Sequence, residues 1–215
     1  MFPRARCLLI GLLLLVPGGL ASSQEPEPPP LVSWKELGEH PSRYLGKTIT
    51  LHAQFHSRLE NWNAFLTRFG PHDYSGFQFW SDEQFPWVES EYQTPSVRLF
   101  ARHGQAGEIA MAGAKRHTRY ELVVRVRELF LDLPWAEIES ATPTVVEISE
   151  GTSIHAARGL ELARKNALPL ARIEFEQALE GLLPQHARVE LERLRDACPA
   201  PPPEPKPAIK PAPKH

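Results

Sequence analysis

The side chains best suited to chemistry in this chain are flat rings, and they are concentrated. Residues 55–100 hold 12 of the 19 Phe, Tyr and Trp residues, among them Trp62, Phe65, Phe69, Tyr74, Trp80 and Trp87. Rings on exposed loops stack on sugars or bases, whereas rings turned inward fill the core of a small barrel. Phe77 and Phe79 share one strand face and are assigned to the core. Trp62, Trp80 and Trp87 are the candidates for ligand contact. Arg125 and Arg127 also share a face, with Arg119 and Lys47 as possible neighbours, and suit phosphate or carboxylate contacts. Glu121 and Glu128 interrupt that stripe, so a solvated face of mixed charge is the alternative.

Other chemistries fail on spacing. His52 and His56 share a strand face, but four residues at about 3.3 Å each hold them roughly 13 Å apart. Zinc needs its nitrogen ligands at about 2 Å, so the pair cannot share one ion. His72 and Asp73 adjoin in the Gly70-Pro71 loop with nothing else at ligand spacing. The loop carboxylates Asp82, Glu83, Glu89 and Glu91 have no evident acid–base partner. No Gly-x-Ser-x-Gly elbow, His-Glu-x-x-His, Cys-x-x-Cys or complete phosphate-cradling Gly-Lys-Ser/Thr loop occurs. The expectation is a non-catalytic binding protein with no cofactor and no metal.

Period-two patterns supply the elements that would position these groups. Ile49, Leu51, Ala53 and Phe55 alternate with polar neighbours, which predicts a strand with one buried face. Further strands are expected at 76–81, 96–101, 120–131 and 135–141, with Asp132-Leu133-Pro134 turning the fourth into the fifth. Before them, Ser33 and Glu36 have capping-box spacing for a short helix from Trp34 that stops before Pro41. Residues 104–113 are rich in small side chains and suit a short helix or loop plugging a barrel end. Residues 145–148 extend or flank the sheet.

The ends of the chain differ from its middle. Residues 1–21 place Arg4 and Arg6 before an apolar run of about ten residues, then Gly19-Leu20-Ala21, the pattern of a secretory signal cleaved after Ala21. That run is too short for the roughly 20 residues of a membrane span, so no membrane contact is expected once the signal is removed. Of 22 prolines, four lie in residues 24–30 and eight in 199–213. Residues 22–31 therefore read as an extended spacer, and 199–215, with Lys206, Lys210 and Lys214, as a disordered, solvated tail. Cys198 is the one cysteine beyond the signal, so no intramolecular disulfide is expected there. A net charge of −2 argues against a dedicated nucleic-acid binder.

Tyr44-Leu45-Gly46-Lys47-Thr48-Ile49, leading into the alternating strand, resembles the entry of OB-fold domains of exported bacterial proteins. The long fourth strand and its return resemble the second half of that barrel. The resemblance implies an α+β protein: a five-stranded OB-like barrel over 32–150, binding oligonucleotides, oligosaccharides or proteins near its second and third strands. After Gly151 the period changes to about 3.6. Ala156, Leu160, Ala163 and Ala167 share one helix face. Ala171, Phe175, Ala178, Leu179 and Leu182 share the next, and Ala187, Leu191, Leu194 and Cys198 a third. Gly159, Ala171, Phe175 and Ala178 have the spacing of a tetratricopeptide repeat, so 151–198 resembles one such repeat plus a capping helix. Phe175 and Leu182 are its candidates for helical packing or partner contact. One repeat cannot bury its own apolar face and must pack on something else. The function expected is binding of another exported protein, with an oligosaccharide or polyanion on the aromatic rim as the alternative.

Overall fold

A computed structural model describes residues 27–63, 65 and 67–200. The expected signal, 1–21, the first residues of the spacer and the tail from 201 onward lie outside them. Five strands close into a barrel in the order β1-β2-β3-β5-β4, consistent with an OB-like barrel. They are β1 (Thr48–Leu59), β2 (Tyr74–Ser81), β3 (Val97–Arg102), β4 (Arg119–Phe130) and β5 (Leu133–Pro143). Neighbours run antiparallel except β3 and β5, which close the barrel in parallel through Leu99↔Ala136 and Phe100↔Glu137. Ile49, Leu51, Ala53 and Phe55 point inward with Phe77, Phe79, Leu122 and Val124, so the alternating pattern does become one buried face.

The short helices fit around this core. α1 (Trp34–Glu39) starts at Ser33, whose hydroxyl accepts from the Glu36 amide at 3.0 Å. The return half of the capping box is not made, because the Glu36 carboxylate instead accepts from the Tyr44 hydroxyl of α2 (Pro41–Tyr44). After α3 (Glu89–Gln93) and β3 comes α4 (Ala106–Met111), where a helix or loop was expected. It lies so close to β5 that a Cβ on Gly107 would sit 2.1 Å from the Ile138 carbonyl oxygen. Only glycine permits that approach. The last residues of the expected spacer run beside β1: Thr50 donates to Pro30 O at 2.8 Å and Val32 to Thr50 O at 2.9 Å.

Three helices follow: α5 (Glu150–Arg164), α6 (Leu168–Ala178) and α7 (Gln185–Asp196). α5 begins earlier than its apolar pattern suggests, because the Ser149 hydroxyl caps it by accepting from the Thr152 amide. Phe175 lies across Gly159, its ring 2.5 Å from where a Cβ would stand, with Ala156, Ala171 and Ala178 around it. The apolar face of the helices is covered from two sides. α7 contributes Ala187 and Leu191, and the connection between β2 and β3 contributes Phe85, Trp87 and Val88. Cys198 is buried in the same cluster. Leu182 does not continue the Phe175 stripe: α6 ends at Ala178, and Leu182 lies beyond it, 67% exposed, while Leu183 turns inward.

Candidate functional site

The barrel end formed by the β1–β2 connection and the β4–β5 turn exposes Phe65, Leu131 and Leu133. Its floor is a run of rings. Phe69 stacks on Phe100 (centroids 4.6 Å apart, 10° between planes), and Phe100 stacks on Trp135 of β5 (5.2 Å, 10°). Trp62 leans on Phe100 at 5.4 Å and donates its indole N–H to the Phe69 carbonyl. The β1–β2 connection is held to β4 by one carboxylate. Glu128 accepts from the Thr67 hydroxyl, and from the Arg68 amide and guanidinium, each at 3.0 Å. Anchored rings and a tethered loop make this floor preorganised.

At the rim the backbone departs from its preferences. Leu131 and Asp132 form the β4–β5 turn, with φ of 49° and 59°. Two successive positive φ values define the hairpin turn that favours Asn and Gly. Leu131 occupies the first of these positions and is 79% exposed, with Leu133 also exposed. A residue with a Cβ costs about 1–2 kcal/mol in the left-handed region. Leu131, Trp62, Phe130 and Trp135 line a cleft of about 360 Å³. A second cleft of about 290 Å³, walled by Trp34 and Pro95, shares Arg98, Leu133 and Trp135 with it. Arg98 is exposed and makes no ion pair among the described residues, so one cation stands at the junction of two apolar clefts.

The residues nominated from sequence distribute unevenly. Trp62 is partly buried and lines the cleft. Trp80 is fully buried, its indole N–H donating to the carbonyls of Glu91 and Tyr92 at 3.1 and 3.2 Å. Trp87 is buried against Phe85 and belongs to the helical cluster. The three tryptophans therefore do not form one rim, because two of them are needed as core. The candidate basic stripe is also broken, as its mixed-charge alternative implies. Arg127 is the extra residue of a bulge in β4, which turns its guanidinium onto Glu137 at 2.7 and 2.6 Å. Arg119 is buried in a pair with Asp82 at 3.0 and 2.5 Å. Arg125 stays exposed, outside any ion pair among the described residues. Phe175 is core, not partner surface.

Phe130, Leu131, Leu133, Trp135 and Arg98 are the site residues that sequence reasoning missed. For Phe130 and Leu131 the signal was an apolar run, Leu129 to Leu131, that continues into a turn where polar residues are usual.

A second feature lies where barrel and helices meet. The Gln54 side-chain amide pairs with the Ile148 backbone in both directions, donating to its carbonyl at 2.7 Å and accepting from its N–H at 3.0 Å. His56 and His117 pack on Trp80, with centroids at 4.7 and 5.2 Å. Burial, with Arg116 and His117 beside it, pushes the His56 pKa down to about 4. Burial lowers the His117 and His186 values as well.

Comparison of the chain with protein-family models, curated proteins and solved structures finds no match. Among the described residues, no helix is long and apolar enough to cross a membrane.

Proposed function

We propose that the protein is an exported, non-catalytic adaptor whose barrel end holds an apolar segment of another exported protein. The observation that carries this reading is Leu131, exposed at the tip of a turn whose backbone conformation disfavours it. Fold stability favours Asn or Gly there, and solubility favours a polar side chain. A residue that opposes both preferences is accounted for by a use outside the fold. The rigid ring floor lowers the ordering cost of binding, and Arg98 supplies one polar contact for orientation. The OB resemblance supports the location, since the same connections flank the ligand cleft of that fold. The tetratricopeptide-like helices then act as a scaffold, their apolar face already covered by α7 and Trp87.

The oligosaccharide or polyanion alternative has less to stand on. Two of its three tryptophans are buried and Arg127 is neutralised by Glu137.

Leu131→Asn separates the two demands on the turn. The variant should gain stability, because Asn accepts positive φ at lower cost. It should also lose the partner that a photo-crosslinker at position 133 captures from the exported fraction, while Arg125→Ala keeps it. A Leu131→Asn protein that captures the same partner as efficiently as the parent refutes the assignment.

A further inference from the structure

We infer that the segment held by this barrel end is the proline-rich tail of a second copy of the chain, with Pro202-Pro203-Glu204-Pro205 lying across the two clefts. The inference rests on the reading of the barrel end as a binding site and names what it takes. The clefts adjoin along Arg98, Leu133 and Trp135, so a ligand filling both must cross that ridge. A polyproline II chain repeats every three residues, or about 9 Å, which sets Pro202 and Pro205 on one edge, one proline for each cleft. Proline rings of such a chain dock on aromatic walls. Trp135 lines both clefts with Phe100 stacked on one of its faces at 5.2 Å, and Trp34 walls the smaller cleft. The indole N–H groups of Trp34 and Trp135 have no hydrogen-bond partner among the described residues, and neither nitrogen is sealed from solvent. The Ser96 hydroxyl is held by Gln84 at 2.7 Å, so the unengaged polar side chains of the smaller cleft are donors: two indoles and Arg98. A proline backbone carries carbonyl acceptors and no N–H, and meets such donors without burying an unpaired donor of its own.

Charge and length select this tail and this source. No carboxylate lines either cleft, which leaves the Arg98 guanidinium for Glu204, set between the two prolines. Asp132, exposed and outside any ion pair among the described residues, stands at the same rim for the Lys206 that follows. The chain has a second sequence of this kind, Pro26-Glu27-Pro28-Pro29, but its end is held along β1, where Thr50 donates to the Pro29 and Pro30 carbonyls. α7 starts on the side of the clefts: the His186 ring lies 6.1 Å from that of Phe85, and the adjoining Gln84 accepts from the Ser96 amide at 3.0 Å. Its 12 residues then carry the chain about 18 Å onward to Cys198, whose carbonyl accepts from Arg172 of α6. Glu204 lies six residues further, roughly 19 Å of polyproline chain, and retracing α7 would consume all of it. A second copy imposes no such path, and two copies that exchange tails close a symmetric pair.

The test uses the full chain and reads self-association by sedimentation equilibrium, together with the Trp34 and Trp135 indole N–H resonances on dilution. Both resonances should move with the monomer–dimer equilibrium. Arg98→Glu and Glu204→Arg should each weaken association about tenfold or more, the loss expected for one charge-assisted hydrogen bond, with melting temperatures near the parent's. Mixing the two variants should restore association, because each then offers the tail that the other's cleft accepts. The Pro202→Ala/Pro203→Ala/Pro205→Ala protein should also associate more weakly, since alanine adds N–H groups and loses the preformed helix. A protein that stays monomeric with indole resonances unchanged on dilution overturns the inference, as does undiminished association by either charge variant. Restoration only when both changes are in one chain overturns the second copy as source and assigns the cleft to the chain's own tail. The photo-crosslinker at position 133 separates this inference from the reading it rests on. Capture of a second copy that Glu204→Arg abolishes supports both. Capture of a different protein that survives Glu204→Arg overturns the inference and leaves the barrel end as a binding site, whereas capture of nothing overturns both.

Discussion

Phe175→Ala probes the point where packing in the helices is least able to adapt. The Phe175 ring fills the notch left by Gly159, in a cluster with Ala156, Ala171, Ala178, Leu191 and Trp87. Alanine and glycine side chains cannot swing into a vacated space, so the cavity should persist instead of collapsing. Truncating a buried Phe costs about 3–5 kcal/mol, and a site that cannot relax belongs in the upper part of that range. At about 1.4 kcal/mol per factor of ten, that is a loss of roughly two to three and a half orders of magnitude in the folded-to-unfolded ratio of the helices. The barrel cluster and the helical cluster share no residue. Hydrogen–deuterium exchange should therefore show protection lost across α5, α6, α7 and residues 85–88, with β1 and β4 nearly unchanged. Gly159→Ala should act at the same place by overpacking, at about 1–3 kcal/mol. A Phe175→Leu background should relieve part of that penalty, giving a non-additive pair. The reasoning fails in either of two ways. A parallel loss of protection in β1 and β4 would make barrel and helices one cooperative core. No change anywhere would mean that Phe175 does not pack as described.

Stability should depend on pH through the histidines of the seam. His56, His117 and His186 are all lowered by burial, His56 to about 4. Their folded values lie below the unfolded value of about 6.5, so the unfolded chain takes up protons first as pH falls. Their contribution is full above pH 6.5, falls between 6.5 and about 4, and levels off below. Denaturant midpoints at pH 7.5, 6, 5 and 4 should trace that decline, and a flat profile from 7.5 to 5 contradicts it. His186→Phe, which removes a buried Nε2 without a hydrogen-bond partner, should shrink the decline. Export makes its own prediction: mass spectrometry should find the mature N-terminus at or within about three residues of Ser22. An intact Met1 on the functional protein would exclude it.

The elements were legible because their causes are local. Four of the five strands lie within two residues of the positions that alternation predicts, and β1 runs on past Phe55 to Leu59, since a period of two reports directly on a face buried by the rest of a sheet. The three C-terminal helices were legible for the same reason at period 3.6, and Cys198 was placed correctly as the last apolar contact of the third, whereas the short α2 and α3 carried no such signal.

The site was not legible in this way, because contacts between distant residues decide it. Trp80 and Trp87 look as available as Trp62 in sequence, and only the packing of the β2–β3 connection against barrel and helices buries the first two. The composition of β4 shows Arg127 as a free cation. A one-residue bulge between Val126 and Glu128 aims it at Glu137, and bulges depend on the partner strand's register. Leu182 falls on the Phe175 face only while α6 continues, and the chain leaves that helix four residues earlier. Sequence alone determined the strands, the helices and the apolar faces they must hide, because each follows from the order of neighbouring side chains. Tertiary structure alone decided which rings reach solvent, which charges are already paired and where an exposed leucine sits at positive φ, because burial and pairing are set by residues tens of positions away in the chain.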